Sequence, residues 1–364
     1  MAKGAYIGVN GAAQKVKKMY IGIQGAARKI KKAYVGVNGA ARPCWTGGEL
    51  AYYGTATALP EDKAYGAAAS NGNYALFGGG LNETTLMNTV YAYDANLTQS
   101  APYGLLMARK ELSATRAGDK VIFFGGKNAG STTYRHAEAY DTNLTRTSAQ
   151  NSSENGRAFV GAASVGNYAI FAGGQKSSSV KTVSAYDANL TYTSMDDLSV
   201  VRSGMVGVSL GDYAIFVGGS STATVKETVV YDASLTKIAV SNISATRNDH
   251  AGTSVGKYAV FTGDSATTDV YDTSLTLSTL DVGLGETYIS ATNLDGYAIF
   301  AGDNTDNDVV TNVAYDESLT VTYPSGIDVP RSHMQAASVG NYAIFAGGYD
   351  FYSTYRAAYV YTVQ

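Results

Sequence analysis

The sequence predicts an all-β fold: a seven-bladed β-propeller preceded by a short, separate β-repeat. Three observations support this. A motif of aromatic and glycine residues recurs along most of the chain, its spacing is regular, and the residues before it alternate as in a strand. The motif is clearest in residues 165–174, Val-Gly-Asn-Tyr-Ala-Ile-Phe-Ala-Gly-Gly. Self-similarity at periods of about 45 residues is typical of propellers and solenoids.

A phenylalanine anchors each repeat, and successive anchors are 46, 48, 45, 45, 39 and 45 residues apart. The anchors are Phe77, Phe123, Phe171, Phe216, Phe261, Phe300 and Phe345. The residues before each anchor, such as 213–216, alternate aromatic and small apolar types, which indicates a strand buried on both faces. A Gly-Asn, Gly-Asp or Gly-Lys pair just before this strand predicts a hairpin turn, because Gly and Asn tolerate positive φ.

Three further strands complete each repeat. A Gly-Gly or Gly-Asp pair follows the anchor, then a loop, then a strand that ends in Tyr-Asp, as at Tyr186-Asp187. Leu-Thr, four residues after each Tyr, opens another strand, and the Asp can set the tight turn between them. A fourth strand, such as residues 204–209, leads into the next anchor. The seventh repeat stops at its Tyr strand, and residues 50–54 have the spacing to supply its missing outer strand, which would close the ring.

The Gly-Gly pair, the Tyr-Asp pair and a basic residue 14 positions before each anchor resemble the kelch repeat over residues 50–364. The resemblance implies a seven-bladed kelch-like β-propeller. The basic positions are Lys63, Arg109, Arg157, Arg202, Arg247 and Arg331, with Glu286 in the sixth repeat. In some kelch domains, arginines at the channel mouth bind acidic ligands, so a ligand site is one expectation. The alternative is that these side chains satisfy backbone carbonyls or loop carboxylates between blades.

Residues 1–42 contain a 14-residue unit three times, each with Asn-Gly or Gln-Gly between short apolar runs. This pattern predicts hairpins joined as a small β-meander, and residues 43–49 form the expected linker. Residues 1–48 hold seven Lys, two Arg and no acid, whereas the remaining 316 residues carry a net charge of −12. A segment this small cannot build its own core, so we expect it to dock on a partner. A solvated basic edge is an alternative.

These tandem units resemble repeats in structural and tail proteins of phages and prophages of Gram-positive bacteria. The resemblance implies attachment to other particle proteins, with several copies on a symmetric particle. Nucleic acid is the other partner that a charge of +9 suggests, but three Tyr are a weak match to the stacking platforms of nucleic-acid binders. The expected docking residues are Lys15, Lys17, Lys18, Arg28, Lys29, Lys31 and Lys32. Residues 1–4 precede no apolar segment, so we expect no signal peptide and synthesis in the bacterial cytoplasm. The sequence has no run of 18 apolar residues, so we expect no membrane span.

The sequence offers no evident catalytic or metal-binding set, and we expect a non-enzymatic protein without a cofactor. The three histidines, His136, His250 and His333, have no ligand spacing, and the single cysteine, Cys44, excludes a thiolate site. Residues 303–308 resemble a calcium loop but lack the Gly and Glu of an EF-hand, so a polar loop is expected.

The loop after the seventh Gly-Gly pair is a second candidate ligand site. Its aromatic residues, beside polar groups, suit sugar stacking or protein contact; a clasp over the seam of the ring is the alternative. They are Tyr349, Phe351, Tyr352 and Tyr355. We therefore expect an attachment component of a capsid, tail or baseplate whose propeller displays a face for host surface, including glycan. A cellular scaffold that binds an acidic protein and a glycan-active enzyme are the alternatives.

Overall fold

The computed structural model describes residues 6–9, 12–15, 19–23, 26–30, 32–37, 40–46, 48–149, 156–302, 312–327, 329–350 and 352–364, with side chains from residue 48 onward. Every regular element in these ranges is a β-strand, which confirms the all-β prediction. No helix able to cross a membrane occurs in this part of the chain. The chain divides into two compact units, Met1–Ala51 with Thr362–Gln364, and Tyr52–Tyr361.

The first unit contains three hairpins, β1–β2, β3–β4 and β5–β6. Their strands are β1 (Tyr6–Val9), β2 (Ala12–Lys15), β3 (Met19–Ile23), β4 (Ala26–Ile30), β5 (Lys32–Val37) and β6 (Ala40–Thr46). The hairpins form separate two-stranded sheets within the described residues, so the predicted continuous meander is wrong there. Pairing is local because only two residues separate Val9 from its partner Ala12. Strand β6 also extends to Thr46, into the predicted linker.

The remaining strands build seven four-stranded sheets and two small hairpins. The first part of the chain gives β7 (Leu50–Thr55), β8 (Ala67–Ser70), β9 (Tyr74–Gly78), β10 (Leu81–Asn82), β11 (Thr85–Leu86), β12 (Val90–Asp94), β13 (Gln99–Ser100), β14 (Ser113–Ala117), β15 (Lys120–Phe124), β16 (Ala137–Tyr140) and β17 (Arg146–Ser148). The middle part gives β18 (Gly161–Val165), β19 (Tyr168–Ala172), β20 (Val183–Tyr186), β21 (Tyr192–Met195), β22 (Val206–Leu210), β23 (Tyr213–Val217), β24 (Thr228–Asp232), β25 (Lys237–Ile238), β26 (Ala251–Val255), β27 (Tyr258–Thr262), β28 (Thr268–Asp272) and β29 (Leu277–Leu280). The last part gives β30 (Ser290–Leu294), β31 (Tyr297–Ala301), β32 (Val313–Asp316), β33 (Val321–Thr322), β34 (Gln335–Val339), β35 (Tyr342–Ala346), β36 (Tyr349–Asp350), β37 (Ser353–Thr354) and β38 (Ala358–Val363).

Each four-stranded sheet is one blade of a seven-bladed β-propeller, as predicted. Six blades use four strands that are consecutive apart from the small hairpin β10–β11 in the first blade. The seventh blade has the order β34-β35-β38-β7, so its outer strand comes from the beginning of the propeller sequence. The predicted Gly-Asn hairpin turn is present in the third blade. Val165 pairs with Tyr168 across β18–β19, and Gly166 in the turn between them has φ +54°.

The hydrophobic core lies between neighbouring blades. One cluster joins Ile170 and Ala185 of the third blade to Phe216 and Tyr231 of the fourth, all fully buried. Within a blade, the anchor Phe meets the Tyr of Tyr-Asp edge to face, as in Phe123 and Tyr140, whose ring centroids are 5.7 Å apart at 90°. The same pair of aromatic residues therefore stabilises its own sheet and the interface with the preceding blade.

The Asp of each Tyr-Asp pair forms the turn predicted for it. In the third blade, Asp187 Oδ1 accepts hydrogen bonds from the backbone N–H groups of Asn189 at 2.9 Å and Thr191 at 2.8 Å. Leu190 in this turn has φ +67°, and its buried side chain packs between blades. The same arrangement occurs at Asp94, Asp141, Asp232, Asp272 and Asp316. These carboxylates are therefore structural.

In several blades the hydroxyl group of the Tyr in this pair bonds to the segment that follows the outer strand of the preceding blade. Tyr140 donates to the carbonyl of Tyr103 at 2.8 Å, and Tyr231 donates to that of Asp196 at 2.9 Å. Burial raises the pKa of both phenols. It raises the pKa of Tyr93 and of Tyr271 to about 12.

Alkaline pH is therefore expected to unfold the propeller. A phenol whose pKa is higher in the folded state contributes to the stability of that state. The contribution is complete below the unfolded pKa of 10.0 and is lost as the pH rises toward 12. The free energy of unfolding should fall steeply across this window. Urea unfolding at a series of pH values, with tyrosinate absorbance recorded in parallel, measures this. Tyrosinate formation through pH 12 with unchanged stability would contradict the prediction.

Candidate functional site

The six basic positions before the anchors are buried in the structure. Lys63, Arg109, Arg202 and Arg247 have no exposed surface, and Arg157 and Arg331 are at most 4% exposed. Each lies in the segment that enters the innermost strand of its blade, but the side chain turns into the blade rather than toward solvent. The hypothesis that these six residues contact a ligand at the channel mouth is therefore wrong for this structure.

Several of the buried cations donate to the backbone carbonyl of the first glycine that follows the anchor. Arg202 Nη1 donates to the carbonyls of Gly218 at 2.9 Å and Glu227 at 2.6 Å, where strands β23 and β24 diverge. Arg157 repeats this bond with Gly173 at 2.9 Å. A guanidinium suits the position because its planar fork of donors can serve two strands at once.

The backbone of the same positions binds the preceding blade. Gly174 N–H, in the third blade, donates to the carbonyl of Arg202 at 2.9 Å. Arg202 therefore bonds to the fourth blade through its side chain and to the third blade through its backbone. The equivalent donors and acceptors are Gly80 and Arg109, Gly126 and Arg157, Gly219 and Arg247, Asp264 and Glu286, and Gly348 and Lys63. The last of these links the seventh blade to the first. The recurrence of the basic position therefore has a structural cause.

Carboxylates support the buried cations in some blades. Arg109 pairs with Glu138, and both side chains have no exposed surface. Arg247 pairs with the equally buried Asp269 through Nε at 3.1 Å and Nη2 at 2.9 Å. Burial lowers the pKa of Arg109 and of Arg202, and the nearby carboxylate opposes this in each case.

Two of the aromatic residues in the loop of the seventh blade already contact other groups of the protein. Tyr355 donates to Asp350, and its ring lies 4.0 Å from the Arg331 guanidinium carbon. Tyr349 pairs with Ser332 through two backbone bonds of 2.9 Å. Tyr352 is 92% exposed and is the aromatic residue of this loop most open to a ligand. Phe351 lies outside the described residues.

A different set of residues surrounds the channel mouth, two positions after each basic position. We call this set the axial ring. Its members are Tyr65, Glu111, Phe159, Gly204, Asp249, Tyr288 and His333. All have φ between 53° and 69°, and all are half-buried. At six junctions the N–H of one member donates to the carbonyl of the member in the preceding blade, over distances of 2.7 to 3.3 Å.

The side chains of the axial ring differ from blade to blade. His333 lies between two tyrosines, with ring centroids 4.0 Å from Tyr65 and 4.5 Å from Tyr288. Tyr288 hydrogen-bonds to Asp249, whose pKa is raised by burial and by the nearby Asp264. On the other side, Lys127 contacts Glu111 at 2.6 Å. The ring therefore combines aromatic surface, hydrogen-bond acceptors and cationic donors in one place.

The histidines take structural or ring positions. His250 is buried beside Arg247, and burial lowers its pKa to about 3. Burial and the Lys110 charge lower the pKa of His333 to about 4, so both imidazoles are neutral at pH 7. His136 lies 5.8 Å from the ring of Tyr134. No group of three metal-ligating side chains occurs where side chains are described, and residues 303–308 lie outside that part.

The proposed docking residues belong to the first unit. Lys15, Arg28, Lys29 and Lys32 lie on hairpin strands, but their side chains are not among those described. Lys17, Lys18 and Lys31 lie outside the described residues.

No protein family and no curated protein matches this chain. One similar solved structure is described as "Structure of YjhT". It is 10% identical, with a TM-score of 0.54 over 85% of this chain and 97% of that one. Similarity at this identity supports the propeller fold alone.

Proposed function

We propose that this chain is a non-enzymatic binding component of a phage or phage-tail-like particle. The N-terminal hairpins attach it to other particle proteins, and the propeller presents the axial ring and Tyr352 to host surface. The kelch-type origin of the repeat is part of the proposal and is supported by the recurring Gly-Gly, Tyr-Asp and basic positions.

One observation carries the binding role: in each repeat, the recurring residues stabilise the blades, while the ring residues vary. Arg202, Tyr231 and Asp232 are all used in contacts within or between blades. The ring members share a backbone conformation but differ in charge, size and aromaticity. A symmetric scaffold with an asymmetric mouth suits recognition of a ligand. The particle role rests on the resemblance of the N-terminal repeats and on their net charge of +9.

Co-sedimentation with purified particles from an induced, nuclease-treated lysate tests the attachment role. We expect the full-length chain to pellet with particles, and expect loss of pelleting when the seven docking residues are changed to Gln, because the basic surface is then neutral. A matched variant with Lys181, Lys226 and Lys257 of the propeller changed to Gln should pellet normally. Equal pelleting of all three proteins, or of none, would contradict the proposed attachment.

A further inference from the structure

We infer that two lysines beside the axial ring, Lys110 and Lys127 of the second blade, bind an anionic group of the ligand, either a carboxylate or a phosphate. We call these two residues the lysine pair. The inference rests on the proposed binding role and adds the chemical class of the ligand. It follows from the place of the lysines in the repeat, from their charge balance and from their contacts with the ring.

The fold brings the two lysines face to face but does not require lysine at either position. The N–H of Lys110 donates to the carbonyl of Lys127 at 3.1 Å, and the reverse hydrogen bond is 2.9 Å long. Like charges directly opposite each other destabilise a sheet. Where the structure describes them, the equivalent bridges of other blades join uncharged residues: Ala64 and Leu81, Ala158 and Gln175, Ser203 and Ser220, and Ser332 and Tyr349. The repeat therefore does not explain the lysine pair.

The lysine pair shares a single carboxylate, that of the ring member Glu111. Glu111 Oε1 lies 3.4 Å from Lys110 Nζ, and Oε2 lies 2.6 Å from Lys127 Nζ. Among the side chains that the structure describes, Glu111 is the only acid in contact with either ammonium group. One cation is enough to balance a buried carboxylate. Two cations against one carboxylate leave one net positive charge, which the anionic group of a ligand would balance.

The acids of the fifth blade do not neutralise this charge, because they contact other groups. Asp249 hydrogen-bonds to Tyr288 and accepts from Asn248 Nδ2 at 2.6 Å. Asp264 Oδ2 accepts from the N–H of Asn248 at 2.8 Å. The third and fourth blades lie between these acids and the lysine pair. The positive charge therefore belongs to one side of the mouth.

Two aromatic members of the axial ring hold the ammonium groups in place. Lys110 Nζ lies 5.5 Å from the ring centroid of Tyr65, and Lys127 Nζ lies 4.9 Å from that of Phe159. The lysine side chains remain 24% and 22% exposed, so a ligand can reach them. Each ammonium group has three N–H donors, and contact with Glu111 leaves donors for a second anion. Side chains that are already ordered lose less entropy when a ligand binds.

Saturation-transfer NMR with the full-length chain tests the inference with two matched pairs of probes at millimolar concentration. Glucuronate is compared with glucose, and glycerol 3-phosphate is compared with glycerol. We expect at least one anion to bind about tenfold or more tightly than its neutral counterpart, because it accepts charge-assisted hydrogen bonds. Binding of glucuronate alone identifies a carboxylate ligand, and binding of glycerol 3-phosphate alone identifies a phosphate. Salt at about 1 M, where the Debye length is about 3 Å, should weaken the binding of either anion.

Three variants assign the binding to the lysine pair. Lys127→Gln removes the net charge but leaves Lys110 to balance Glu111, so it should weaken anion binding by about tenfold or more. Glu111→Gln removes the carboxylate that competes with the ligand, so it should strengthen anion binding by about threefold or more. Lys181→Gln is the matched control, because it removes the same charge from an exposed lysine whose contact is Asp197 at 3.4 Å. It should bind anions like the unmodified chain.

Three results would overturn the inference. They are the absence of binding by both anions, equal binding by the Lys127→Gln and Lys181→Gln variants, and weaker binding by Glu111→Gln. None of these results bears on particle attachment, which co-sedimentation measures separately. Loss of particle pelleting with retained anion binding would contradict the attachment role and leave the assignment of the lysine pair intact.

Discussion

Replacement of Arg109 by methionine is expected to lower the free energy of unfolding by about 3–5 kcal/mol. Its partner Glu138 has no exposed surface, and the ion pair to Arg109 is the interaction that compensates its burial. Removal of the cation leaves a carboxylate inside the blade without a counter-charge. The loss should exceed that of an ordinary buried hydrogen bond, which contributes about 0.5–1.5 kcal/mol.

The double variant Arg109→Met, Glu138→Leu distinguishes the cost of an unpaired buried charge from the cost of altered packing. It removes both charges from the site, so it should recover much of the stability lost in Arg109→Met. Urea unfolding followed by circular dichroism measures both proteins. If Arg109→Met loses less than about 1 kcal/mol, the pair does not anchor the blade as the structure indicates.

Replacement of Gly125 by alanine is expected to lower the free energy of unfolding by about 2–5 kcal/mol. Gly125 has φ +68°, and a Cβ atom there would lie 2.3 Å from the carbonyl oxygen of Arg157. That carbonyl accepts the 2.9 Å hydrogen bond from Gly126 that links the second and third blades. The substitution therefore strains the backbone and separates two blades.

Gly211→Ala is the matched control for this substitution. Gly211 has φ +56°, and its nearest atom to an added Cβ is Thr273 Cγ2 at 4.0 Å. This variant carries the backbone strain alone, about 1–2 kcal/mol. The free energy of unfolding should therefore fall further in Gly125→Ala than in Gly211→Ala, and the difference is the contribution of the hydrogen bond between the second and third blades. Thermal and urea unfolding measure both variants. Equal losses would show that Gly125 does not depend on the close approach of the next blade.

The sequence allows the blades to be predicted because the residues that build them recur. The anchor Phe, the Gly-Gly pair and the Tyr-Asp pair each mark one place in a four-stranded sheet, as Phe171, Gly173 and Asp187 do in the third blade. Because the repeat occurs seven times, its strand order and its turns can be predicted from the sequence. The hairpins of the first unit were less predictable, because the same pattern fits a meander or three separate sheets.

The site could not be predicted in the same way. A cation 14 residues before each anchor shows where Arg202 lies along the chain, but not that its side chain turns toward Gly218 and Glu227. The axial ring has no shared residue type, so composition and motif give no sign of it. Its only sequence signal is its constant offset of two residues from the basic position, as in Arg247 and Asp249.

The order of strands in the seventh blade has a consequence for synthesis. Strand β7 (Leu50–Thr55) leaves the ribosome early, but its neighbour β38 (Ala358–Val363) follows 303 residues after Thr55. At about 5–20 residues per second, β7 waits roughly 15–60 s for its partner. An unpaired edge exposed for that time can pair with the β38 of another nascent copy. Neighbouring ribosomes on one message would therefore favour strand-exchanged dimers, and slower translation of the last blade would increase their yield.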